Sequence, residues 1–198
     1  MQLRMKDTSD EDIIATGRRF AAVCAQHGAL LILNDRPDLV PAVGADGVHV
    51  GQDDVPPVDA RSIVGADRLV GLSTHTPEQI DAAAGVNGDS GSHTDSESPF
   101  TARVDYIGVG PVYATPTKPG RPAVGLELVR YAAAHAGVPF FAIGGINQSN
   151  VDGVCDAGAR RVAVVRALTE AGDPYRAAAR LKEALSQPAA QEVGVGPA

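Results

Sequence analysis

Short runs rich in Val, Ile and Leu alternate along this chain with longer stretches whose apolar residues recur every three or four positions. The short runs predict strands at 2–5, 30–33, 47–50, 69–72, 106–109, 140–143 and 162–165. Most are apolar without alternation, the pattern of parallel strands covered on both faces. The longer stretches predict helices. Residues 9–26 carry Ile13, Gly17, Phe20 and Cys24 at helical spacing, and others begin near Pro37, Pro57, Thr76, Leu126, Asn147 and Asp173, several with Asp, Thr or Asn caps or an early Pro.

Strict strand–helix repetition requires either a doubly wound sheet or a (β/α)8 barrel, and in both the functional groups gather where strands end and helices begin. Polar residues follow nearly every strand here: Arg4 and Lys6; Asn34, Asp35 and Arg36; Gly51, Gln52, Asp53 and Asp54; Ser73, Thr74 and His75; Gly144, Gly145 and Asn147; Arg166. A ring that recurs on every unit suits a barrel better than an open sheet, whose ligands converge on one switch point. Two segments break the pattern. Residues 85–103 are polar and rich in Gly and Ser, and are expected to be a mobile insertion on the rim opposite the chemistry. Residues 187–198 read as a disordered tail, leaving one domain over 1–186.

Composition narrows the partners. The formal charge is −7, from 17 Lys and Arg against 24 Asp and Glu, and no basic run offsets it, which argues against nucleic acid or an anionic membrane as partner. Cys24 and Cys155 stand far apart with no metal-ligand spacing, as expected of two buried thiols in a reducing compartment. The first residues lack a signal-peptide arrangement and no 18-residue apolar run exists, so a cytoplasmic location is expected.

Three groups on the rim carry chemistry. Arg4 and Lys6 lie two apart, so their side chains leave one face and can grip one anion together, and Lys118 and Arg121 add positive charge in the stretch VGPVYATPTKPGRPAVG. In that stretch Thr115 and Thr117 supply hydroxyls, and four prolines limit the entropy lost on binding. The second group is acidic: Asp35, Asp53 and Asp54. A DD pair alone is an ordinary turn or cap, but carboxylates opposite cations would neutralise them unless a divalent ion such as Mg2+ and a polyanion come between. The third is backbone: Gly144 and Gly145 end a strand and open toward a helix, where N–H groups can close on a phosphate. No Ser-His-Asp or Cys-His arrangement points to a nucleophile. His27, His93 and His135 read as ordinary helix or loop residues, and His49 and His75 as packing or hydrogen-bonding groups near the rim.

Taken in order, QLRMKD, LILNDRPDL, GADGVHVGQDDVP, GLSTHT, DYIGVGPVYATPTKPG, FAIGGIN and GARRVAVVRAL resemble the thiamine-phosphate synthase family over nearly the whole chain. The resemblance implies a TIM barrel that joins hydroxymethylpyrimidine diphosphate to a thiazole phosphate. Pyrophosphate leaves first, and the thiazole nitrogen captures the resulting pyrimidinylmethyl cation. It implies Gln2 on the pyrimidine; Arg4, Lys6, Asn34, Ser73 and Lys118 on the pyrophosphate; Asp35 and Asp54 on Mg2+; and Thr115, Thr117, Gly145 and the backbone around Val165 on the thiazole phosphate. Arg4, Lys6, Ser73 and Lys118 would bear most on catalysis.

Two departures stand out. Arg166 replaces a Ser common after the last strand, leaving its backbone N–H or its charge for the phosphate. The family also has a strand and helix before QLR, so a barrel lacking its first strand and helix is expected for the residues given, with an upstream start in the natural protein and poor stability and weak activity without it. The tautomerase-like relatives of this family place a His where Pro111 stands. A non-catalytic phosphate-binding barrel is the reading from another class.

Overall fold

Helix α1 (Asp10–Gln26) begins where the sequence supplies a cap: Ser9 is extended and its Oγ accepts the Asp12 N–H at 3.2 Å. Asp10, Glu11 and Asp12 lie in the first turn, at the positive end of the helix dipole. Ile13, Gly17 and Cys24 are buried, while Phe20 on the same stripe keeps 37% of its surface exposed. A Cβ on Gly17 would lie 2.6 Å from Val43 Cγ1, so glycine admits α2 (Val40–Val43) this close to α1.

The structure, a computed structural model, describes residues 1–85, 104–115 and 122–186. The expected insertion, apart from Gly85, and the expected tail lie outside the described residues. The chain divides into two compact units, Met1–Gly108 with His135–Pro139, and Val109–Ala134 with Phe140–Ala198.

In the first unit the strands β1 (Gln2–Leu3), β2 (Ile32–Asn34), β3 (Gly47–Val50), β4 (Leu69–Thr74) and the start of β5 (Tyr106–Val109) follow one another in chain order. The pairings are parallel, with Gln2 beside Ile32, Ile32 beside Gly47 and Gly47 beside Leu69. All four residues of β3 are buried, as an apolar run without alternation predicts. Helices α3 (Pro57–Val64) and α4 (Pro77–Gly85) complete the βα alternation, with a 3-10 turn at Pro37–Leu39 before α2. Leu31, Leu33, Val48, Val50, Val70, Ile80 and Ile107 form the core.

Strand edges differ from expectation for local reasons. The second strand starts at Ile32 because the Leu31 N–H is taken by the Asp46 carboxylate at 2.7 Å. The fourth runs on through Ser73 and Thr74, and the Thr74 hydroxyl donates to the Gly108 carbonyl at 3.1 Å. The first stops at Leu3, not residue 5.

The second unit holds the parallel pair β6 (Phe140–Ile143) and β7 (Val162–Ala163), with Ala142 beside Val162. Around them lie α5 (Gly125–His135), α6 (Val151–Asp156), the short α7 (Arg166–Thr169) and α8 (Pro174–Ser186). Val112, Val129, Ala142, Ile146, Val154 and Leu181 form its core. The helix expected near Asn147 starts at Val151, because the Asn147 N–H bonds the Asn150 side chain at 2.8 Å and closes a turn first. Cys24 and Cys155 are both buried and free. Among the described residues no helix is long and apolar enough to cross a membrane.

Candidate active site

Of the expected residues of the first unit, Lys6, Asp35 and Asp54, which follow β1, β2 and β3, lie together, while Ser73 in β4 meets His49 and Gln52. Leu3 is buried, and Gln2, Arg4 and Lys6 are exposed. Arg4 makes no ion pair among the described residues. Lys6 Nζ lies 3.4 Å from Asp35 Oδ2.

Asp35 follows Asn34, the half-buried last residue of β2. Its φ is +63°, a conformation aspartate tolerates better than most side chains, and its N–H donates to the His49 carbonyl at 2.9 Å. Burial and contact with the Asp54 carboxyl hold the Asp35 pKa above the ordinary aspartate value, against the pull of Lys6. Asp54 Oδ2 in turn accepts the Gly51 N–H at 2.8 Å, which sets that carboxyl at the end of β3. Asp53, the third acidic candidate, is exposed. Among the described residues no group of three or more His, Cys, Asp or Glu side chains is placed to hold a metal ion. The donor set is the two carboxyls, and a pair pressed together against their mutual repulsion suits a hard divalent cation that completes its shell with water and phosphate oxygens.

Arg36, also on the expected rim, is committed elsewhere. Its guanidinium grips both Asp10 oxygens at 2.6 and 3.0 Å and both Asp38 oxygens at 3.0 and 2.7 Å, joining α1 to the turn after β2. His75 gives its backbone N–H to Gln79 at 2.7 Å.

Ser73 is 9% exposed and lies inside β4, not just after it. Its Oγ is 2.9 Å from His49 Nε2, and its carbonyl accepts the Gln52 amide at 2.6 Å. His49 Nδ1 is 3.1 Å from the Tyr106 hydroxyl. Burial chiefly, with the Asp105 charge, pushes the Tyr106 phenol far above its usual pKa, opposed by a hydrogen bond from Gln2. The sequence alone does not identify Tyr106 and Gln52 as supports of a site residue, and it marks His49 only as a packing or hydrogen-bonding group near the rim. The available signals were a histidine in the middle of the apolar run GVHV and a tyrosine opening YIGV.

The second unit presents backbone more than side chains. Gly144 and Gly145 have φ of +102° and +66°, values that disfavour any Cβ. Space excludes one as well: at Gly144 it would lie 2.5 Å from Pro111 Cα, and at Gly145 2.7 Å from Tyr113 Cβ. The segment after β5 crosses directly over this pair, with the Tyr113 N–H on the Gly144 carbonyl at 3.0 Å. Asn150 Nδ2 donates to the Gly145 carbonyl at 3.0 Å and fixes the loop from below. Val165 precedes α7 and is 53% exposed. Arg166 opens α7 and faces Glu170 at 3.9 Å. Thr115 is half-buried. Thr117, Lys118 and Arg121 lie outside the described residues.

Parallel strands in chain order alternating with helices, with cationic, acidic and hydroxyl side chains near the ends of β1 to β4, define an α/β protein with its polar groups where strands end. The chain belongs to the thiamine monophosphate synthase family, whose model matches residues 1–168. It is 49% identical to a thiamine-phosphate synthase of Acidothermus cellulolyticus over 94% of this chain and 81% of the relative. It is 48% identical to one of Thermus thermophilus over 93% and 82%. Among solved structures it is similar to thiamine phosphate pyrophosphorylase from Pyrococcus furiosus, with a TM-score of 0.78, 28% identity, and coverage of 93% of this chain and 81% of that one. A likeness to 3-hexulose-6-phosphate synthase, with a TM-score of 0.56 and 21% identity over 85% of this chain and 80% of the other, concerns the fold alone and sets it among TIM-barrel-like α/β proteins.

Proposed function

We propose that this chain condenses 4-amino-5-hydroxymethyl-2-methylpyrimidine diphosphate with 4-methyl-5-(2-hydroxyethyl)thiazole phosphate, giving thiamine monophosphate and pyrophosphate. Membership of the family makes it an enzyme of the transferase type. The observation that carries the particular reaction is the cluster of Lys6, Asp35 and Asp54, with its ion pair and its two touching carboxyls.

In this reading Gln2 contacts the pyrimidine, and Arg4, Lys6, Asn34, Ser73 and Lys118 bind the diphosphate. As the carbon–oxygen bond breaks, negative charge grows on the departing diphosphate, and donors fixed beforehand stabilise it without reorganising. Asp35 and Asp54 hold Mg2+, which supplies charge neutralisation for that leaving group. The carbon left behind is a pyrimidinylmethyl cation, so no side chain is needed as nucleophile, consistent with a rim rich in donors. Thr115, Thr117, Gly145 and the backbone at Val165, with Arg166 beside it, hold the thiazole phosphate, whose ring nitrogen captures the cation. The crossing of β5's continuation over Gly144 and Gly145 supports a rigid, backbone-lined phosphate loop.

Mixing the purified chain with both substrates and Mg2+ and following pyrophosphate tests the proposal. Release of pyrophosphate matched by thiamine monophosphate is expected. Binding of both phosphorylated compounds without turnover would favour a non-catalytic phosphate-binding protein.

A further inference from the structure

His49 is a polar ring in a strand whose four residues are all buried, and it is itself 9% exposed. A buried imidazole needs partners on its ring nitrogens, and the bland reading is a core histidine satisfied by neighbours. Its particular partners say more. One nitrogen meets Ser73 Oγ at 2.9 Å and the other meets the Tyr106 hydroxyl at 3.1 Å, and Tyr106 is also hydrogen-bonded by Gln2. The four residues come from β3, β4, β5 and β1. The two ends of the chain, Gln2 and Ser73, are the residues assigned above to the two ends of the pyrimidine diphosphate.

We propose that His49 and Tyr106 are positioning residues that turn the Ser73 hydroxyl proton toward the diphosphate, through a one-way series of hydrogen bonds beginning at Gln2. The direction follows from donor and acceptor capacity. The Gln2 amide donates to the Tyr106 oxygen, which stabilises the phenolate and so opposes the upward push of burial. The phenol keeps its proton and gives it to His49 Nδ1. That leaves the ring's own proton on Nε2, where it donates to Ser73 Oγ. With its oxygen occupied as acceptor, Ser73 has its proton to give, and the substrate is the acceptor in reach of a strand end. Gln2, having spent an N–H on Tyr106, presents its carbonyl to the exocyclic amine of the pyrimidine. The same wire thus sets both contacts at once.

The backbone is shaped around this series. A Cβ on Gly71 would clash with Cζ and the hydroxyl end of Tyr106, and one on Gly108 would lie 3.4 Å from His49 Cε1. Glycine at both places lets the two rings lie 5.4 Å apart, centroid to centroid, within the layer of strands. The Ser73 carbonyl is held by Gln52 at 2.6 Å, so the serine backbone is fixed from another side while His49 fixes its hydroxyl.

This inference rests on the proposed function, and two measurements separate them. Nitrogen-15 NMR of the ring-labelled wild-type protein is expected to show His49 protonated on Nε2 alone, with the Tyr106→Phe variant shifting population toward the Nδ1–H form. This needs no substrate. In single-turnover pyrophosphate release, His49→Ala is expected to slow the chemical step about 10- to 100-fold, the scale seen when groups that orient a contact residue are removed, with KM for the thiazole phosphate unchanged. His49→Gln, whose amide can donate near the Nε2 position, should recover most of that loss. In a Ser73→Ala background, His49→Ala should cost little more, because its effect passes through the serine. An Nδ1–H tautomer in the wild type, or a His49→Ala loss that adds in full to that of Ser73→Ala, would overturn the proposal. A wild-type protein that shows the expected tautomer yet turns over neither substrate would instead sink the proposed reaction.

Discussion

Around Lys6, Asp35, Asp54 and Ser73 the groups that the proposed reaction would use are side-chain atoms, and other side chains hold them: Lys6 against Asp35, Asp54 against Asp35, His49 against Ser73. At Gly144, Gly145 and Val165 the proposed phosphate-holding group is the backbone, and the Asn150 side chain holds the Gly145 carbonyl. The first region is sensitive to chemistry, since exchanging one atom of a carboxyl or removing one hydroxyl alters what is presented. The second is sensitive to bulk, since the identity of its side chains matters less than the room they leave. A leaving group that gains charge needs the first kind of site, whereas a phosphate that is only held in place needs the second.

The largest expected effect breaks the second region by bulk. Gly144→Val places a branched side chain at φ +102° and 2.5 Å from Pro111, which combines backbone strain and overpacking of roughly 1–3 kcal/mol each. Urea unfolding should show most of the stability gone, while a loss below about 1 kcal/mol would mean that the crossing segment yields easily. Next is Ser73→Ala in the first region, expected to lower the pyrophosphate-release rate on the order of 10²-fold, as for one missing donor to a developing charge, with a stability loss near the low end of the roughly 1–3 kcal/mol that leaving the buried His49 Nε2 unpartnered costs. A fall in stability as large as that of Gly144→Val would erase the contrast between the regions. Asp54→Asn should raise the Mg2+ concentration needed for half-maximal rate by at least about tenfold, since changes that only touch a metal's ligands from outside already cost roughly 10- to 100-fold. An unchanged titration would take Asp54 out of the metal site. The smallest is Arg166→Ala. Its partner Glu170 stands 3.9 Å away and both are well exposed, so melting should move by no more than a few tenths of a kcal/mol. A large rise in KM for the thiazole phosphate alone would show that its charge, and not only its backbone, reaches the ligand.

The alternation of strands and helices was legible because parallel strands buried on both faces must be apolar throughout, and β3, β5 and β6 fall where their apolar runs do. Strand ends were less so, since they depend on partners distant in sequence: Asp46 takes the Leu31 N–H, and Gly108 extends β4 through Thr74. In the site, the pairing of Lys6 with Asp35 could be anticipated from charge and position. Arg36 looked equally available, and only folding reveals its grip on Asp10 and Asp38. The support of Ser73 by His49 and Tyr106 was hidden for the same reason. A histidine within a buried strand announces that it needs partners, but not which strands will bring them.

The central claim is that charge leaving with a diphosphate is received by side chains at the ends of β1 to β4. A crystal grown with Mg2+ and pyrophosphate tests it most directly. The account predicts pyrophosphate in contact with Arg4, Lys6 and Ser73 Oγ, and one ion joining it to Asp35 and Asp54. Pyrophosphate settled at any other place on the molecule, with those side chains still paired only to one another, would contradict it.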